Sequence, residues 1–463
     1  MNRRAVLRGL GSGLGTIALG SLLSRAATAS TGSPGLHLAP RAKRVVYLMM
    51  AGGTSQADLL DPKPALNERD GQLCPDELFE GKRLAFIRSR PKLLGSPYRF
   101  ERVGRAGIDA SELLPHFREI ADDVTVIRSM QTDEFNHTPA ELQLVTGIGR
   151  FGRPSIGAWV SYGLGSENEN LPTFVALQST PGQPAAGRAA WGAGFLPSRF
   201  QGIEFRGVGD PVHFIEQPAG VSREAQRESI DAVNELNRLR ASRVHDPEIE
   251  TRIAQYELAF RMQMEVPESA DIWSEPPEVH ERYGTTPNAV SFANQCLLAR
   301  RLIERGVRFV QVFDPGWDHH ERIFDLLPAK AQWIDKAAAA LVVDLRERGL
   351  LDDTLVVWAT EFGRTPMGQT ENTAGVRAKV GRDHQRDAFT VWLAGGGVKA
   401  GHIHGLTDEL GHVVVENPVH VHDLNATLLH LLGIDHKRLT HRYQGRDYRL
   451  TDVHGEVVHS ILA

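Results

Sequence analysis

Cysteine is nearly missing: Cys74 and Cys296 are the two in 463 residues. Two thiols over that length cannot form a disulfide scaffold, and neither has the close Cys or His spacing of a zinc knuckle. They read either as a pair closed in an oxidising compartment or as isolated thiols. Excess charge of one sign is missing too. With 52 Lys and Arg against 57 Asp and Glu, the formal net charge is -5. Nothing in that balance points to nucleic acid or an anionic membrane as partner. No apolar run reaches the roughly 20 residues of a membrane-spanning helix. Internal repeats, heptads and low-complexity tracts are absent, which excludes solenoids and coiled coils. What remains, 41% hydrophobic and 24% charged residues, suits a packed core. The length fits one large α/β domain with insertions or roughly two to three domains.

The first residues read as an address rather than as structure. Arg3 and Arg4 form a twin-arginine pair, a Gly-rich, mildly apolar stretch runs from Leu10 to Leu23, and Ala27-Thr28-Ala29 offers a small-residue cleavage site. Residues 1–29 are therefore expected to be a twin-arginine signal peptide, with an ordinary secretory signal as the competing reading. Both place the mature chain in the periplasm or outside the cell. Twin-arginine signals move folded proteins, which suits a chain that collects a cofactor before export.

From residue 42 to 463 the pattern is that of one α/β domain. Val45–Met50, Thr125–Ile127, Phe174–Leu177, Phe309–Phe313, Leu355–Ala359 and Phe389–Leu393 are short, continuous apolar runs, the signature of strands buried on both faces. Helical periodicity follows in Ala289–Glu304, stopped by Gly306, in the Ala-rich Ala329–Arg348 and in Asp423–Leu432. Strand alternating with helix predicts a doubly wound, mostly parallel sheet flanked by helices. The stretch from about 220 to 285 is charged, with no strand-like run, and is expected to be a helical insertion or cap.

Ligands in such folds bind beyond the carboxyl ends of the strands, and there the chemistry-bearing residues recur. After the first run stands Gly52-Gly53-Thr54-Ser55-Gln56-Ala57-Asp58, in which Asp58 is either a cation ligand or a turn and cap residue. After the fourth stands Gly316-Trp317-Asp318-His319-His320, a carboxylate and imidazoles close enough to share one divalent ion. Thr360-Glu361-Phe362-Gly363-Arg364-Thr365-Pro366 follows the fifth, with Glu361 a further ligand candidate. Arg364 is either an oxyanion clamp or half of a surface ion pair. Gly381-Arg382-Asp383-His384 and Gly401-His402-Ile403-His404 complete the series, while His420 and His422 read as structural. Nineteen His residues, most in the last third of the chain, fit a metal-binding protein.

Together these motifs resemble the domain of unknown function 1501 family, which is similar to sulfatases and the alkaline phosphatase superfamily. The resemblance runs from about Val45 to Leu450. It implies an alkaline phosphatase or sulfatase-like α/β fold with one or two divalent ions (Zn, Mn, Ca or Mg) above the sheet. Asp58 and Glu361 would hold one ion; the family's late-strand Asp-His pair falls on Glu361 and Phe362, so one ligand is replaced and one lost. Asp318, His320 and His384 would hold the other, with His319 competing for the loop position. The sulfatase nucleophile motif falls on His137-Thr138-Pro139-Ala140-Glu141, so His137 stands where the formylglycine-forming Cys would be.

Three modes of attack stay open on this reading: Thr138 as nucleophile, His137 as ligand or covalent acceptor, or a water activated by metal. Arg364 or Arg382 would neutralise the transferred group. The expected function is an exported metal-dependent hydrolase of small-molecule or glycan phosphate or sulfate esters. A non-catalytic exported binding or cell-envelope protein on the same fold is the alternative.

Overall fold

The computed structural model describes residues 34–463 except 82–83, 213–214, 218–219, 245 and 370–378. Residues 1–29, where a signal peptide is expected, lie outside the described residues.

Eleven strands matter here. They are β1 (Arg44–Ala51), β2 (Val124–Gln131), β3 (Phe174–Gln178), β4 (Ile203–Phe205), β5 (Phe309–Pro315), β6 (Thr354–Ala359), β7 (Gly363–Gln369), β8 (Gly381–Gln385), β9 (Phe389–Ala394), β10 (His402–His404) and β11 (Val419–His420). The helices are α1 (Gln56–Leu59), α2 (His137–Thr146), α3 (Ile156–Leu164), α4 (Arg223–Val244), α5 (Pro247–Ala270), α6 (Phe292–Glu304), α7 (Ile323–Glu347) and α8 (Val421–Leu431).

The main sheet runs β10-β2-β9-β6-β1-β5-β3-β4, with β11 also paired to β2. β1 is parallel to both β5 and β6, and β3 is parallel to β4 and β5. β9 alone runs against its neighbours β2 and β6. The six apolar runs are all strands of this sheet. Their alternate residues bury on both faces, which is why they read as continuous rather than alternating. Val46, Leu48, Val310 and Val312 pack with α6 and α7 on one face. Tyr47, Met49, Phe309 and Phe313 pack with α2, α3 and α8 on the other. The sheet is doubly wound and mostly parallel, as its sequence pattern predicts.

Two departures from expectation have local causes. Helix α7 starts at Ile323 rather than Ala329 and carries Pro328 inside it. The proline cannot donate to the carbonyl of Phe324, and the Tyr98 hydroxyl donates to that oxygen instead, at 3.4 Å. The segment holding Arg382 and His384 is itself a strand, β8, in a small antiparallel sheet with β7 and Lys92–Leu93. Its polar residues hide it from any search for apolar runs. Between β4 and β5, α4 lies along α5, joined by the Arg227–Glu257 ion pair at 2.7 Å. Among the described residues, no helix is long and apolar enough to cross a membrane.

Candidate metal centre

The chain passes repeatedly over the carboxyl ends of the parallel strands. β1 exits through Gly52 and Gly53, both with positive φ. A Cβ at Gly52 would lie 2.6 Å from the amide nitrogen of Asp318, so only glycine lets the loop after β5 close over this turn. That loop is pinned by Asp314, which accepts from the Trp317 indole at 2.9 Å and pairs with Lys330 at 2.6 Å. Gly381 serves the same end, since a Cβ there would collide with the backbone of His320.

Four side chains meet at this point: His137 at the start of α2, Asp318 and His320 after β5, and His384 on β8. One donor atom from each lies within 4.8 Å of all the others. His320 Nε2 is 2.8 Å and His384 Nε2 3.4 Å from Asp318 Oδ1. His137 Nε2 is 3.2 Å from Asp318 Oδ2, and His320 Nε2 is 2.9 Å from His384 Nε2.

The far side of each ring decides what the near side can do. His137 Nδ1 faces Glu361 Oε1 at 2.8 Å, His320 Nδ1 faces Gln369 Oε1 at 2.7 Å, and His384 Nδ1 faces the carbonyl of Phe135 at 2.6 Å. Each partner is an acceptor, so Nδ1 carries the proton in each neutral ring and Nε2 is left with a lone pair. Outer partners of this kind fix the tautomer and aim of metal-binding imidazoles. His137 Nε2 is buried and makes no hydrogen bond, although Asp318 is adjacent. The donor set therefore fits a single divalent cation.

Charge is concentrated on one carboxylate. Burial pushes Asp318 up, but the imidazoles of His137, His320 and His384, with Arg364 beside them, hold it far below the usual carboxylate range. Burial also pulls His137 down, yet Asp318 and Glu361 outweigh it and raise that imidazole to about 9. Burial lowers His384. His319, the competitor for the loop position, is buried, pushed down to about 4 chiefly by desolvation, and stands outside the group of four.

The structure separates other sequence-expected site residues from this group. Asp58 does not join it: its carboxylate is fully buried against the Arg382 guanidinium, at 2.8 and 3.2 Å, and accepts from Ser55 at 2.5 Å. A carboxylate so occupied has little left for an ion, and Arg382 so paired is no clamp. Arg382 spends its remaining donors on the carbonyls of Leu94 and Thr365. Arg364 is likewise 1% exposed and donates to the carbonyls of Gly52, Gly53 and Arg382, with one further contact to Asp318 at 2.5 Å. It also donates to the carbonyl of Trp317 at 3.4 Å, and so orients Asp318 and ties the loops together. Glu361 accepts from Gly52 N at 2.9 Å and faces His137 Nδ1, so it is held beside the group of four and not beside Asp58. Thr138 donates its hydroxyl to the carbonyl of Ala185 at 3.3 Å. His402 and His404 pair with Thr125–Ile127, at the amino half of β2 and away from the cluster. Cys74 and Cys296 are both free and buried.

Sequence reasoning missed the outer partners Phe135 and Gln369, because a backbone carbonyl and an amide carry no motif. It also missed Arg386, which with Gln131, Gln385 and His384 lines a polar cavity of about 220 Å³.

A family model described as a protein of unknown function (DUF1501) matches residues 42–462. The chain belongs to the DUF1501 family. No curated protein matches this DUF1501 chain. Among solved structures it is similar to the PsFucS1 sulfatase from Pseudoalteromonas sp., at 12% identity and a TM-score of 0.35 over 85% of this chain and 68% of that one. It is similar to the lipoteichoic acid synthase LtaP from Listeria monocytogenes, at 9% identity and a TM-score of 0.36 over 90% and 78%. It is also similar to the alkaline phosphatase from the Antarctic bacterium TAB5, at 10% identity and a TM-score of 0.31 over 80% and 95%.

Proposed function

We propose that this DUF1501 protein is an exported, metal-dependent hydrolase of phosphate or sulfate esters, of small-molecule or glycan type, that works without formylglycine. One observation supports the reading above others: the Nε2 lone pairs of His320 and His384 face each other at 2.9 Å beside Asp318. Bare acceptors that close repel, and a divalent cation bound by both removes the repulsion. His137 and Asp318 complete a set of three imidazoles and one carboxylate. Nitrogen-rich sets favour Zn over Mg or Ca, with Mn between them.

A divalent ion held there would supply Lewis-acid polarisation of the ester and a water acidified to a pKa of about 7. The rest falls to the chain. His137, standing where a nucleophile would, binds instead, with its Nδ1 proton held by Glu361. Thr138 is committed to Ala185 and is not poised for attack. Arg386, with its side chain 41% exposed at the cavity beside His384 and a loose 3.5 Å contact to Asp387, takes the anion-binding role that the buried Arg364 and Arg382 cannot fill. Neither cysteine lies near the cluster: Cys74 packs with Leu66 and Leu93, and Cys296 packs with the α6 and α7 core.

The alternative, a non-catalytic exported binding or cell-envelope protein that keeps the fold, is favoured by the saturation of both buried arginines. Elemental analysis of protein purified without chelators tests the metal, and hydrolysis of p-nitrophenyl phosphate and sulfate tests the reaction. The expected result is one ion per chain and turnover, both lost in His384→Ala. Metal without turnover on either ester favours the alternative, and absence of stoichiometric metal overturns the hydrolase and leaves the binding or envelope reading.

A further inference from the structure

A cavity beside the helical insertion lies at the other end of the sheet. It measures about 550 Å³ and sits between α5 and the edge formed by β3 and β4. Its walls include Leu171 and Phe174 at the amino end of β3 and Ile203 at the amino end of β4. The metal centre follows the carboxyl ends of strands parallel to these. The two places are therefore separated by roughly the 20 Å length of a six-residue strand.

Leu258 and Met262 of α5 and Phe200 close the apolar side. The volume falls within the range of small-molecule sites, roughly 300–1,000 Å³, which favour seams between structural units and pair an apolar body with a few polar groups. Those polar groups are present. Ser161 on α3 is 3% exposed and lines the cavity, and its hydroxyl has no hydrogen-bond partner. Arg199 and Arg261 also line it, and among the described residues neither has a carboxylate within ion-pair distance. The Arg199 guanidinium lies over the Phe200 ring at 4.8 Å, and the buried Nε of Arg261 makes no hydrogen bond. Glu169, exposed at the rim, is the single acid on the lining.

We infer that this cavity binds an anionic amphiphile with one linear apolar chain, a free long-chain carboxylate, its chain against Phe174, Leu258 and Met262 and its head met by Arg199 and Arg261. The apolar walls supply affinity by burial, and the two guanidinium groups supply selection for the anion. The site is independent of the metal centre.

The probe is sodium dodecanoate below its micelle concentration, titrated calorimetrically into the mature protein with dodecanol as the uncharged control. Wild type is expected to bind one dodecanoate per chain, at least tenfold more tightly than dodecanol. Ala259→Trp, which fills the cavity from α5, should weaken dodecanoate at least tenfold with metal content unchanged. Arg199→Ala with Arg261→Ala should abolish the preference for the acid. Unsaturable binding to wild type overturns the proposal, as does equal affinity for acid and alcohol. If Ala259→Trp fails to fold, the arginine double variant decides alone: a preference for the acid that persists in it overturns the assignment of the head.

Discussion

Two clusters of His and Asp lie among the described residues, and they differ in the direction of one hydrogen bond. The first is Asp318 with His137, His320 and His384; the second is Asp133 with His420 and His422. In the second, His420 Nε2 lies 3.3 Å from Asp133 Oδ2, and the rings of His420 and His422 stack at 4.9 Å. By distance and residue type the two look alike. His420 Nδ1, however, accepts the backbone N–H of His422 at 3.2 Å and caps helix α8, while Asp423 accepts from the His420 N–H at 2.9 Å. An imidazole whose Nδ1 accepts must carry its proton on Nε2 when neutral, so that nitrogen donates to Asp133 and offers no lone pair. In the first cluster each Nδ1 faces an acceptor, so each Nε2 offers a lone pair once its ring is neutral. A metal site is recognised by what holds the back of its rings.

The sharpest way to break this contrast is to remove each cluster's carboxylate in turn. Asp318→Asn should abolish stoichiometric metal in elemental analysis, while Asp133→Asn should leave it unchanged. Metal loss in the second variant alone would invert the assignment. A milder challenge concerns Asp58, whose motif suggests a ligand and whose partner is Arg382. Asp58→Asn should lower stability by about 3–5 kcal/mol, because it leaves a buried guanidinium unpaired. Metal content should persist in the folded fraction. A stable variant that had lost its ion would return Asp58 to the metal.

The second cluster has its own signature in pH. His422 is pushed down from 6.5 to about 4, chiefly by burial and then by His420 and His454. Its folded value lies below its unfolded one, so the neutral ring's contribution is complete above pH 6.5 and is lost as pH falls towards 4. The shift is worth at most roughly 3 kcal/mol. Urea midpoints across that window should fall less steeply in His422→Gln, and an unchanged slope would locate the acid sensitivity elsewhere. The smallest effect is expected at Glu361, whose carboxylate faces the Nδ1 of His137. Glu361→Gln should weaken metal affinity by about 10- to 100-fold while keeping one site per chain. Complete loss would make Glu361 a ligand in its own right.

Much of the architecture was legible before folding was considered. Runs such as Val45–Met50 and Phe309–Phe313 are continuous because both faces of the sheet are covered, and that alone selects a parallel, doubly wound arrangement. The loop holding Asp318 and His320 announces itself by residue type and by its place after a strand. Strand β8 did not, because Arg382 and His384 fill a small sheet whose polar side chains are buried by specific partners rather than by apolar packing. The start of α7 was misplaced for a similar reason: the penalty of Pro328 is offset by Tyr98, far away in sequence.

By itself the sequence determined which segments bury, where glycine lets the chain turn over the strand ends, and which ligand-type side chains stand there. Those properties are local, set by the hydrophobicity, size and backbone freedom of each residue. Tertiary structure decided which carboxylates were already taken. Asp58 is held through both oxygens by an arginine distant in the chain, whereas Asp318 meets Arg364 through one oxygen and keeps three imidazoles beside it. It also decided which nitrogen of each ring holds the proton, because that depends on whether a carbonyl or an amide N–H lies behind the ring.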